Sequence, residues 1–129
     1  MKTLLVAAAL VGAINTERAE HGLPALHISS DLTRSADAFA HRLVRRGQFR
    51  HERRIRVQRA RYSHVGEALA LNLDVAGAVR AWMASPPHRR LLLSPKFRLA
   101  GAGHAGKIRV LHLASAPSAR HSRLSPAAR

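Results

Sequence analysis

The chain has 129 residues, a formal net charge of +15 and no cysteine. One domain of this length buries about two-thirds of the surface its unfolded chain exposes, and 47% hydrophobic residues exclude a disordered chain. Without cysteine there are no disulfides and no thiolate metal sites, and the redox compartment stays open.

The charge is unevenly spread. All seven acidic residues lie at or before Asp74, and ten Lys/Arg follow it with no acid among them. Such a field attracts anionic surfaces: nucleic acid, anionic lipid or acidic cell-wall polymers. Specific nucleic-acid binding is not expected, because Trp82, Tyr62 and three Phe are the only aromatics and no recognised binding motif occurs.

Residues 1–13, "MKTLLVAAALVGA", read in two ways. One lysine, an apolar run and small residues at Val11-Gly12-Ala13 have the layout of a signal peptide. The following "INTERAEHG" continues without a linker, so the same run also reads as the buried start of a first helix. That helix ends at Gly22, ahead of Pro24. "LPALHI" is then a short extended connection.

Ser30 as N-cap and Asp31 open the clearest helix, in which Leu32, Ala36, Phe39, Ala40 and Leu43 form one apolar face. Arg42, Arg45 and Arg46 crowd its last turn and Gly47 stops it. Residues 48–61 are basic and poorly periodic, a loop with a helical turn. "VGEALAL" (65–71) reads as an internal strand. Asp74 caps a helix with Val75, Val79 and Trp82 facing inward, which ends before Pro86. Ser85 then caps a second short helix with Pro86 at its first position and His88 at its third. Residues 97–105 and 108–116 form a hairpin turning at Gly106-Lys107. The end of the chain is polar and basic, expected to be a disordered tail over residues 116–129.

Some tempting motifs fail on context. "GAGHAG" (101–106) matches a dinucleotide fingerprint, but a strand follows it and no acid lies downstream to hold a ribose. "HERRI" (51–55) begins like a zinc-protease motif and lacks the second histidine. Ser85 with His88 could form a nucleophile and base, yet no orienting acid is near in sequence and capping explains the serine better.

An ordered series does hold: "INTERAEHGLPAL" (14–26), "GQFRH" (47–51), "GEALA" (66–70), "AWMASPPHRRLLLSPKF" (81–97) and "LAGAG" (99–103). The series resembles the bacterial branch of the CAP superfamily, which also contains cysteine-rich secretory, venom-antigen and pathogenesis-related proteins. The resemblance implies an α/β (α+β) fold, an α-β-α sandwich with a small antiparallel sheet between helical layers, over residues 14–115. It also implies a cleft of two histidines and acidic residues: His51, Glu67 and His88, with Ser85 standing where eukaryotic members carry a second Glu. His51 and His88 are the implied metal ligands, for Zn²⁺ or another divalent cation, and Glu67 is the candidate acid/base. The alternative reading of the same residues is that His and Glu only satisfy one another inside a half-buried cleft.

The chain departs from the family pattern in several places. Ala68 and Leu91 stand where Asn is usual, the loop after His51 carries arginines, and "RVLHLAS" replaces the aromatic-Gln signature of the last strand. The expected function is a monomeric, secreted or envelope-associated CAP-domain protein, cytoplasmic if residues 1–13 are not a signal. Its cleft would bind a metal or a small ligand, lipid or cell-wall polymer. Two alternatives stand beside it: a weak metal-assisted hydrolase using the same cleft, and a basic polyanion-binding module.

Overall fold

A computed structural model describes residues 2–57 and 61–116. The chain runs α1 (Lys2–Glu20), β1 (His27–Ile28), α2 (Ser30–Arg46), β2 (Val65–Leu71), α3 (Val75–Ala84), α4 (Pro86–Leu92), β3 (Leu99–Ala105) and β4 (Ile108–Ala114). These elements follow the expected ones closely. The cap of α2 is one residue earlier than expected: Ser29, not Ser30, is extended and accepts a hydrogen bond from the Leu32 N–H. Gly47 at φ 60° closes the same helix in the left-handed conformation that glycine adopts without steric cost. Part of the basic loop (58–60) and nearly all of the expected tail (117–129) lie outside the described residues.

The four strands form one sheet in the order β1-β3-β4-β2. β1 lies parallel to β3, and β3, β4 and β2 pair antiparallel. Side chains alternate across a sheet, so each strand serves two layers. Ala68 and Ala70 of β2, Ala100 and Ala102 of β3, and Leu111 and Leu113 of β4 join Leu10 and Ile14 of α1 and Val79 and Trp82 of α3 in the larger core. Leu69, Ile108 and Val110 point the other way and meet Phe39, Ala40 and Leu43 of α2. The result is the expected α-β-α sandwich, with α1, α3 and α4 on one face of the sheet and α2 on the other.

Two glycines set how closely α2 lies on the sheet. A Cβ at Gly101 would fall 2.1 Å from the Thr33 backbone nitrogen, and one at Gly103 would fall 2.2 Å from Asp37 Cα. The glycines of "GAGHAG" therefore allow close backbone approach, the role their strand context predicts.

α1 is held at its far end by Arg18, which has no solvent exposure. Its guanidinium donates to the carbonyls of Pro24, Leu92, Ser94 and Phe97, at 2.9, 2.8, 2.9 and 3.2 Å. One fork thus ties α1 to the end of α4 and to the approach of β3. Trp82 does the same for α3, its indole N–H donating to Leu69 O at 2.9 Å. Among the described residues no helix is long and apolar enough to cross a membrane.

Candidate functional site

The site grows from one cross-strand register. Glu67 of β2, His112 of β4 and Gly101 of β3 are successive partners across the sheet, all on the face that α2 covers. Because Gly101 has no side chain, α2 can bring Ser35 down to His112. The imidazole is wholly buried, with Nδ1 2.7 Å from Ser35 Oγ and Nε2 donating to Glu67 Oε2 at 2.6 Å. Ser35 Oγ is also 3.0 Å from Leu32 O, so both ring nitrogens are anchored within the helix–sheet interface.

The other carboxylate oxygen of Glu67 faces the loop after α2. Oε1 accepts from His51 Nδ1 at 3.0 Å and from the Glu52 backbone N–H at 2.9 Å. Glu67 thus joins a buried imidazole to one that is 62% exposed, while its own side chain is only 6% exposed. Burial alone would raise the Glu67 pKa. Hydrogen bonds from His112, Glu52 N–H and His51, with the charge of His112, outweigh that and hold it below the usual carboxylate range. Glu67 is therefore ionised at neutral pH, which suits a hydrogen-bond acceptor.

A second layer supports this group. Phe39 stacks on His112, with ring centroids 6.3 Å apart at 21°, and the Arg42 guanidinium lies over the Phe39 ring, 5.4 Å from its centroid. Arg42 is also paired with Glu52, and Arg56 approaches the same carboxylate at 3.5 Å. Glu52 Oε1 is buried without a hydrogen-bond partner.

Of the residues singled out from the sequence, His51 is bonded to Glu67, and His88 is bonded to Ser85. His88 Nδ1 bonds Ser85 Oγ at 2.8 Å, and Ser85 makes no side-chain bond to the helix backbone, so its expected capping bond is replaced by this one. α4 covers the face on which a Cβ at Gly66 would meet Leu91, whereas the next residue, Glu67, points to the α2 face. The imidazole bonded to Glu67 Oε2 is His112. Ser35, Glu52 and His112 were missed from the sequence. The available signal was His112 itself, a polar residue in phase with the buried Ile108 and Val110.

Glu52, Glu67 and His112 could each offer an atom within 4.8 Å of the others, as a metal centre requires. The hydrogen bonds argue against a cation among these three. His112 Nε2 gives its proton to Glu67, and Glu52 already holds Arg42. His51 differs: its Nδ1 is bonded to Glu67, and among the described residues its Nε2 has no partner, the carboxylate–histidine arrangement typical of metal-ligating imidazoles.

The family model described as CAP, cysteine-rich secretory protein family, matches residues 11–107. This chain belongs to the CAP family, although it contains no cysteine. No curated protein sequence matches it. Among solved structures it is similar to an extracellular SCP-domain protein from Bacillus anthracis, with a TM-score of 0.77 and 21% identity, over 85% of this chain and 40% of that one. An outer surface protein from Borrelia burgdorferi gives a TM-score of 0.74 and 20% identity, covering 83% of this chain and 90% of that one. Venom allergen-like protein 4 from Schistosoma mansoni gives 0.70 and 14%, covering 88% and 90%.

Proposed function

We propose that this protein works outside the cytoplasm as a CAP-domain binding protein, with His51 as the contact point for a divalent cation such as Zn²⁺ or a small ligand. The observation that carries this reading is the clasp of Glu67 between His112 and His51. The buried end makes the carboxylate rigid, and the carboxylate in turn orients the exposed imidazole. The extracytoplasmic setting is supported by likeness to proteins described as extracellular and as outer surface proteins.

The residues fit a weakly held cation at His51 better than a tightly enclosed one. A bound Zn²⁺ would supply Lewis acidity and an activated water. The chain itself supplies orientation: Glu67 accepts the Nδ1 proton of His51, fixes its tautomer and aims its second nitrogen outward. The same geometry disfavours Glu67 as a proton donor in hydrolysis, so binding ranks ahead of catalysis.

Zinc titration calorimetry at neutral pH, on wild type, His51→Ala and His88→Ala, tests this. Wild type and His88→Ala should bind one ion alike, and His51→Ala should lose it. Loss in His88→Ala with retention in His51→Ala would overturn the assignment.

A further inference from the structure

Beside His51 lies a cleft of ≈ 260 Å³ whose wall carries six arginines: Arg42, Arg46, Arg50, Arg53, Arg54 and Arg56. Against them stands one lining carboxylate, Glu52, which holds Arg42 and Arg56. Arg50 bonds the neutral Gln48. Arg46, Arg53 and Arg54 have no acidic partner among the described residues. Like charges gathered around one concavity repel each other, and a low-dielectric wall strengthens their field toward any anion that enters.

Arg42 and Arg46 lie on α2, and the other four arginines are presented by a loop that is tied down at several points. Ile55 is buried, Glu52 N–H bonds Glu67, and Arg42 of α2 reaches across to Glu52. Phe39 and Leu43 form an apolar floor. Anchoring lowers the ordering cost of binding. The planar forks suit phosphate, whose oxygens accept from several guanidinium groups at once. Several forks around one cleft call for more than one phosphate.

We propose that this cleft binds an oligophosphate group. His51 also lines this cleft, so the test is run on metal-free protein after chelator treatment and dialysis, where phosphate binding is read apart from any cation at His51.

Inorganic tripolyphosphate is titrated into wild type at about 0.15 M salt, where distant surface charges are screened. It is also titrated into Arg46→Gln/Arg53→Gln/Arg54→Gln and into the charge-matched Arg34→Gln/Arg80→Gln/Arg98→Gln. Circular dichroism verifies that each variant is folded. Wild type should bind one equivalent, the first variant should weaken by at least about tenfold, and the second should change by less than about twofold. Absence of saturable binding, or equal loss in both variants, overturns the proposal; equal loss would mean net charge alone. Co-sedimentation with phosphatidic acid vesicles identifies the source of the phosphate. Capture that tripolyphosphate competes away and the first variant loses places it on a lipid. No capture, with binding in solution, places it on a soluble molecule.

Discussion

Glu67 and His112 stand opposite each other on antiparallel strands, Oε2 to Nε2 at 2.6 Å, with the imidazole wholly buried. Such a pair is costly to break from one side, because the remaining partner stays buried without its counterpart. In Glu67→Gln one end of the amide can still accept from His112. The other end then points N–H donors at His51 and at the Glu52 N–H. The expected destabilisation at pH 7 is about 3 kcal/mol.

The pH dependence of that loss has a definite sign. Glu67 is held below its ordinary value in the folded state, which for glutamate is about 4.3. Its contribution is therefore complete above that value and disappears as pH falls through the lowered folded pKa. Urea unfolding of wild type and Glu67→Gln should show a gap that is constant from about pH 7 to 5 and narrows below about pH 4. A gap that persists unchanged to pH 3 would show that the amide fails for steric reasons and not through charge.

Gly103 and Gly66 make opposite demands on a methyl group. At Gly103 the added carbon would meet Asp37 Cα at 2.2 Å and Asp37 N at 2.4 Å, both backbone atoms of α2. Neither can yield unless the helix lifts off the sheet, and Gly103→Ala should cost about 3 kcal/mol or more. At Gly66 the nearest atom is Leu91 Cδ1 at 2.7 Å, the end of a side chain that can rotate. Gly66→Ala should cost about 1 kcal/mol. Denaturation midpoints rank the two, and the His112 ring resonances add a second readout. They should shift in Gly103→Ala, because Ser35 and Phe39 ride on α2, and stay put in Gly66→Ala. Equal costs would mean that α2 does not rest on the glycine strand.

These positions also show what one sequence discloses and what it withholds. Helical spacing, caps and turn residues are local, and they placed α2, α3, α4 and the β3–β4 hairpin nearly to the residue. Ser29 displaced Ser30 as cap because adjacent serines offer the same chemistry and only backbone conformation separates them. His51 and Glu67 were legible through the family resemblance. The partner of Glu67 was not, because it depends on which strand lies beside β2 and in which register, a long-range pairing that no local pattern prints. Strand parity points to His112, in step with Ile108 and Val110. Ala68 and Leu91 stand where the family usually has polar residues, and the clasp here draws on Ser35 and the Glu52 backbone.

Residues 1–13 support two readings with different energetic consequences. In the folded chain Ala7, Leu10 and Val11 are buried, and with Ile14 they pack in the larger core with Trp82, Leu111 and Leu113. Removing residues 1–13 would delete three of these side chains and leave Ile14 at a frayed helix start. The lost burial is on the order of 5 kcal/mol, comparable with the whole stability of a small domain. A chain beginning at Ile14 should therefore be largely unfolded at 25 °C. The full chain should unfold cooperatively in urea, and far-UV circular dichroism compares the two directly. A shortened chain as stable as the full one would show that the segment is dispensable to the fold, as cleavage of a signal peptide requires.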